Sequence, residues 1–464
     1  MTIEYETYLS PFTWRYGSPE MRHIWSEVNK RLVWRRLWVA LAEVQSEFGL
    51  VEPGQVADLR ANMAKVDMRR SLEIEAEIHH DLMAELKAFA EQATIGGGIL
   101  HMGATSMDIE DNADVLRQRE SLSIVLAGLR DLLLIFAEKI ETWAELPLIA
   151  FTHLQPAEPS TLGYRLACYA QDLLMDWQIL QLTKAELRGR GFKGAVGTGA
   201  SYADLLGADK LVEFEARLSQ SLELPFFPVA TQVYPRKQDY VVLTSLAGLG
   251  ASLYKFAFDL RLLQSALIGE LSEPFAKQQV GSSAMPFKRN PVNAEKIDSL
   301  ARLLAQLPRV AWDNAAHSQL ERTLDDSANR RVILPEAFLA CDEILTTAKR
   351  ILSGLQVNKI AIQRNLASYA PFAAVERVLM ALSKAGADRQ VMHEYLRGHS
   401  LTAWAEVESG ESNLLADLIA HDPEITRYVP EGELRQLMDI DQYLGDAPQR
   451  ARQMAETIRS TLAG

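Results

Sequence analysis

No proline occurs between Pro53 and Pro147. Within that run, Leu122, Leu126, Leu129, Leu133, Phe136 and Ile140 stand at alternating steps of four and three. This spacing averages 3.5 residues, the seam of helices packed nearly parallel, and its apolar stripe must be buried against other long helices. Residues 160–182 repeat the pattern with Leu162, Leu166, Tyr169, Leu173, Trp177 and Leu180. Residues 236–273 are again free of proline. A helical pattern runs from Pro291 towards Leu307, and another from Pro335 to a stop at Gly354. No stretch sustains the period-two alternation of a sheet, although a short strand or two fits within 190–235. The expected fold is all-α.

Three regions follow from this pattern. Residues 1–105 hold shorter helices and end near the loop Gly96-Gly97-Gly98. Residues 106–357 carry the long helices of a central bundle, and 358–464 return to short helices with Gly and Pro punctuation. The most apolar stretch, 241–254, is too short to span a bilayer, and Lys255, Asp259 and Arg261 follow it closely. Its small residues (Ala247, Gly248, Gly250, Ala251) suit a helix buried in protein. The acidic start, Met-Thr-Ile-Glu-Tyr-Glu, has no apolar region of a signal peptide, so no membrane association is expected. A net charge of −13 weighs against nucleic acid as a partner. The two cysteines, Cys168 and Cys341, are far apart. They supply neither a disulfide framework nor a thiolate zinc site and fit a cytoplasmic protein.

Four segments carry candidate chemistry. In 281–295, Gly281, Ser282 and Ser283 read as a mobile loop, and Asn290-Pro291 as the start of a helix. The helix's positive end, Lys288 and loop amides would converge there to stabilise an anion and to make a serine hydroxyl acidic enough to act as a base. An ordinary serine-rich loop fits the same residues. In 101–112, Thr105 or Ser106 caps a helix with Asp108 and Glu110 in its first turn, and these hydroxyls can hold a carboxylate or simply cap. His153 lies in a loop before a long helix, placed either to move protons or only to be exposed, and His79-His80-Asp81 adds an imidazole–carboxylate pair with the same two readings. In 321–331 three arginines and a serine could bind a phosphate in an otherwise acidic chain, or form a solvated helix start with local ion pairs. There is no GxxxxGK[ST], HExxH or GxSxG motif, and Gly194–Gly199 follows a helical pattern rather than a strand. The chemistry expected is proton transfer on an anionic substrate without metal or other cofactor.

Together these segments resemble the fumarase/aspartase superfamily and, within it, the animal-type branch of the adenylosuccinate lyase family. Gly-Ser-Ser-Ala-Met-Pro-Phe-Lys-Arg-Asn-Pro at 281–291 looks like the superfamily's mobile loop. Ser-Pro-Phe-Thr-Trp-Arg-Tyr-Gly-Ser-Pro-Glu-Met at 10–21 and Glu-Arg-Thr-Leu-Asp-Asp-Ser-Ala-Asn-Arg-Arg at 321–331 specify the lyase. The matching stretches at 80–84, 101–106 and 151–157 stand in the family's order. The resemblance implies β-elimination of fumarate from succinylated purine-pathway nucleotides. It implies Ser282 as base, His153 as acid, Lys288 as the holder of a carboxylate and of developing charge, and Glu295 as an acidic partner of a catalytic histidine. His80 and Asp81 match a pair beside the substrate. Thr105, Ser106 and Gln232 match residues that bind the succinyl part, and Arg15, Tyr16, Arg322, Ser327 and Arg331 match the nucleotide-binding set.

Two positions depart from the animal pattern. His79 and Lys296 stand where arginines are expected, and neither offers a bidentate fork. These departures bear on the base contacts, or on the balance between the two succinylated nucleotides that the family cleaves. The resemblance also implies a homotetramer with shared active sites, which fits candidate segments scattered over separate long helices. Argininosuccinate lyase and carboxymuconate cycloisomerase are the enzyme alternatives, and a structural helical tetramer the non-enzyme one. The arginine-rich 321–331 segment weighs against these enzymes, whose substrates carry no phosphate.

Overall fold

The computed structural model describes residues 6–439 and 443–463. Helices make the fold. The principal ones are α1 (Glu27–Glu47), α2 (Asp81–Gln92), α3 (Ser106–Thr142), α4 (Leu162–Ala185), α5 (Lys237–Gln264), α6 (Val292–Leu304), α7 (Asp325–Ser353) and α8 (Lys359–Lys384). The only sheets among the described residues are two antiparallel pairs. They are β1 (Pro147–Thr152) with β2 (Gln155–Thr161), and β3 (Leu271–Ser272) with β4 (Gln356–Val357). The all-α expectation holds.

The two seams account for the long helices. All six seam residues of α3 and all six of α4 are buried. Each large apolar side chain so buried contributes ~2 kcal/mol. Val242, Leu243, Leu246, Leu249, Leu253, Phe256 and Leu260 of α5 are buried as well. Length and composition alone would let α5 cross a membrane, but these burials identify a core helix.

The chain divides into two compact units, interleaved in sequence. The first comprises Met1–Leu129, Asp176–Ala251 and Ser299–Thr346, and the second Arg130–Met175, Ser252–Asp298 and Thr347–Gly464. The first is built on Trp34, Leu37, Trp38, Phe89, Ile109, Tyr202 and Phe214. A fully buried ion pair, Arg35 Nε to Glu85 Oε1 at 2.6 Å, is packed within it. In the second, the β1–β2 hairpin packs on α8. Val378, Leu382, Leu396, Leu415, Ile419 and Leu434 form a separate apolar cluster.

Three local expectations change. Strands within 190–235 reduce to one isolated bridge, Gly189 to Phe226. The strands occur instead at 147–161, where Pro156 and Pro159 concealed them, since proline is tolerated where it need not donate to a ladder. α7 begins at Asp325 and runs through Pro335, ten residues before the expected start. Asp325 and Asp326 favour its N-terminus, and the surrounding packing outweighs the hydrogen bond that Pro335 cannot make.

Candidate active site

In the first unit, polar side chains converge from several segments. Asp81 opens α2, and its Oδ2 lies 2.8 Å from Arg331 Nη2 and 3.7 Å from Lys30 Nζ. Burial raises the Asp81 carboxyl, but Arg331 and Lys30 more than offset that and hold it below the usual carboxylate range. Beside this cluster is a cavity of about 80 Å³ lined by Trp25, Lys30, Glu110, Arg322, Ser327 and Arg331, among others. Three residues of the expected nucleotide set therefore share one cavity.

Local sequence explains how these groups are aimed. Helix Met68–Ile78 ends on His79 in the left-handed conformation (φ 55°). The next residue, His80, caps α2, its Nδ1 accepting from the Met83 amide at 3.4 Å. The reversal leaves His80 Nε2 3.5 Å from Ser106 Oγ, at the start of α3. Thr105 precedes that helix, and its amide donates to Asp108 Oδ2 at 2.9 Å. Asp108 is buried, pairs with Arg190, and accepts from the Lys193 and Gly194 amides and the Tyr202 hydroxyl. It serves the fold and is closed to a ligand.

The 321–331 arginines divide their work. Arg330 is buried, donating to Asp239 at 2.8 Å and the Tyr234 hydroxyl at 2.7 Å, with Asp114 3.1 Å away. All three arginines line the cavity, Arg330 while held in these buried pairs. Arg322 is oriented by a relay that sequence reading missed. It donates to Asp326 at 2.8 Å, Asp326 accepts from Arg236 at 2.6 Å, and Arg236 donates to Asp111 on α3 at 2.9 Å. The partners are up to 125 residues apart, so no local motif could reveal them. Gln232 joins this neighbourhood through its backbone, its amide donating to the Glu321 carbonyl at 3.2 Å. Arg15 and Tyr16 lie outside the cavity lining, on a segment pinned to α7. Ser10 Oγ donates to Glu336 at 3.3 Å, and the Gly17 and Ser18 amides donate to Glu343 and Asp342 at 3.1 and 2.6 Å. Arg15 stacks over Trp14 at 4.6 Å.

The second unit holds the remaining candidates. His153 and Leu154 form the two-residue tip of the β1–β2 hairpin, with φ of 54° and 59°. Such tips favour Asn-Gly, and holding two ordinary residues there costs on the order of 1 kcal/mol or more each. Both side chains are exposed. The expected loop before a helix is thus a strained hairpin tip that presents the imidazole to solvent.

The Ser282 loop corrects one expectation and sharpens another. Asn290 does not cap α6. Its Nδ2 donates to the Gly281 carbonyl at 3.0 Å and closes the loop base. The positive end of α6 is occupied by buried Glu273, which accepts from the Asn293 and Ala294 amides and from Asn293 Nδ2 at 2.9–3.2 Å. The helix end is therefore closed to a substrate anion. A distant carboxylate supplies the cap, which local sequence could not show. Ser282 Oγ instead accepts from the amides of Met285 at 3.1 Å and Ala284 at 3.4 Å, within its own turn. Two donors aimed at one hydroxyl oxygen stabilise its alkoxide. A Cβ at Gly281 would lie 2.1 Å from the Lys288 carbonyl oxygen, so only glycine permits this closure. Lys288 is exposed beside it. On α6, Glu295 is exposed and Lys296 half-buried. Replacing Glu273 by alanine is expected to destabilise the protein by about 3 kcal/mol, because buried amides lose a charged acceptor. Chemical denaturation measures it, and a change under 1 kcal/mol would contradict the capping role.

Residues 27–304 match the family described as Lyase, and residues 371–454 that described as Adenylosuccinate lyase C-terminus. The chain is 40% identical over 426 residues to the adenylosuccinate lyase of Schistosoma mansoni, covering 90% of this chain and 88% of that one. It is 36% identical over 462 residues to the adenylosuccinate lyase of Saccharomyces cerevisiae, covering 98% and 95%. Among solved structures, the 3-carboxy-cis,cis-muconate lactonizing enzyme from Pseudomonas putida superposes with a TM-score of 0.85 at 26% identity, covering 97% of this chain and 99% of that one.

Proposed function

The chain belongs to the adenylosuccinate lyase family, and on that premise we propose that it eliminates fumarate from adenylosuccinate, giving AMP, and from the succinylated aminoimidazole carboxamide ribotide. The observation that carries this reading is the cavity shared by Arg322, Ser327 and Arg331. Two guanidinium forks and a hydroxyl suit a phosphate monoester, which argininosuccinate lacks.

The elimination assigns a role to each group. Ser282, as the alkoxide held by the Ala284 and Met285 amides, takes the Cβ proton of the succinyl group. Lys288 faces the adjacent carboxylate, where negative charge gathers as the proton leaves. His153 protonates the departing nitrogen as the C–N bond breaks, and fumarate and the nucleotide result. His80, Asp81, Thr105, Ser106 and Gln232 hold the succinyl end, while Arg15 and Tyr16 complete the nucleotide contacts. Glu295 supports a catalytic histidine. His79 and Lys296 shift the balance between the two substrates.

The same reading makes the protein a cytoplasmic homotetramer in which Ser282, His153 and Thr105 of one site come from different copies. Its organisation would be an N-terminal region 1–105, a central bundle 106–357 and a C-terminal region 358–464. The test is direct. Purified protein incubated with adenylosuccinate is expected to lower the ultraviolet absorbance of the substrate, and with argininosuccinate to produce no fumarate. Turnover of the second substrate alone would reverse the assignment.

A further inference from the structure

Glu110 is a half-buried acid that the elimination leaves without a role. It sits on α3 one helical turn past Ser106 and lines the cavity with Arg322, Ser327 and Arg331. Among the described residues its carboxyl has no hydrogen bond or ion pair, although cations surround it. Those cations are engaged elsewhere: Arg331 and Lys30 with Asp81, Arg330 with Asp239 and Asp114, Arg322 with Asp326. The charged groups around it come from four elements or segments. Asp114 and Arg117 stand on its own helix, Glu27 and Lys30 on α1, Asp81 on α2, and Arg322, Arg330 and Arg331 on or just before α7.

This is an unfavourable place for a further negative charge. Burial first, then Asp81 and Asp114, push the Glu110 carboxyl up to about 8, against the partial opposition of Lys30 and Arg331. At neutral pH the group is a neutral acid. It then has a proton to donate, whereas Asp81, held ionised by Arg331 and Lys30, can only accept.

We propose that Glu110 is a binding residue that meets the ligand as the neutral acid, its hydroxyl donating to the anionic group seated among Arg322, Ser327 and Arg331. The proposal rests on reading this cavity as the phosphate subsite. When ionised, Glu110 repels the phosphate and competes with it for Arg331. Ligand binding therefore favours the protonated form, and binding above neutrality takes up a proton.

The test titrates AMP into the intact protein between pH 6.5 and 9.5, with adenosine as the control lacking phosphate. Phosphate monoesters lose their second proton near pH 6, below this window. The Kd for AMP is expected to rise about tenfold from pH 7 to pH 9, because each pH unit above the titration midpoint is worth a factor of ten. Calorimetry in two buffers of different ionisation heat is expected to show nearly one proton taken up per AMP at pH 9. In Glu110→Gln, whose amide donates at every pH, the Kd stays flat across the window. A parallel rise in Glu110→Gln, or no proton uptake by the unaltered protein, would overturn the proposal. The proton count needs no variant, so a misfolded Glu110→Gln does not spoil the test. Equal affinity for AMP and adenosine would instead overturn the phosphate-subsite reading beneath it. Phosphate-dependent but pH-independent binding overturns only the role of Glu110.

Discussion

Ser282→Ala is expected to lower kcat on adenylosuccinate by about 10³-fold or more, the scale of a positioned general base, while the affinity for AMP stays within about twofold. The argument rests on what the turn around Ser282 does. A free serine hydroxyl is far too weak a base to take a proton from carbon at neutral pH. Here the Ala284 and Met285 amides converge on Oγ at 3.4 and 3.1 Å, lowering the cost of its anion without reducing the hydroxyl's exposure. Ser283 receives no such pair of amides among the described residues, so Ser283→Ala separates the base from a general effect of loop composition. AMP contains no succinyl group, so its affinity reports the nucleotide subsite alone. Steady-state kinetics with AMP binding measured in parallel decides the matter. More than a tenth of the original kcat in Ser282→Ala would mean that another group takes the proton.

Much of the architecture was legible because it is periodic. The seams at 122–140 and 162–180 dictated long helices, and every one of those positions is buried. The arginine-lined cavity was half legible. Arg322, Ser327 and Arg331 lie close enough in sequence to be read as a cluster, but that clustering could not show that Arg330 turns inward to Asp239 and Tyr234. Nor could it show Lys30 and Glu110 arriving from other helices. What local reading lost was decided by tertiary partners. Asn290 has the chemistry of a cap, but Glu273 takes the position, its buried carboxyl accepting from the Asn293 and Ala294 amides. The hairpin at 147–161 carries two prolines and a His-Leu tip, each a poor local choice. Its packing on α8 supplies what the tip costs.

Mixing inactive Ser282→Ala and His153→Ala proteins is expected to restore about a quarter of the original activity once subunits have exchanged. In a symmetric oligomer whose sites take the serine from one copy and the histidine from another, random pairing leaves each group intact about half the time, and both in about a quarter of sites. If one copy supplied both groups, no mixture could rebuild a site. Exposure of apolar side chains beside both groups favours the first arrangement. Leu154 next to His153 is 70% exposed, and Val280 and Phe287 flanking the serine loop are 78% and 81% exposed. Large apolar side chains left exposed beside both groups suit surfaces that another copy covers. The strain at His153 and Leu154 points the same way, since a tip held in left-handed backbone is preorganised to project its side chains outward. Two affinity tags, one on each variant, identify the mixed oligomers, and adenylosuccinate turnover is measured on that fraction. Mixed oligomers that stay inactive would show that Ser282 and His153 of a working site belong to the same copy.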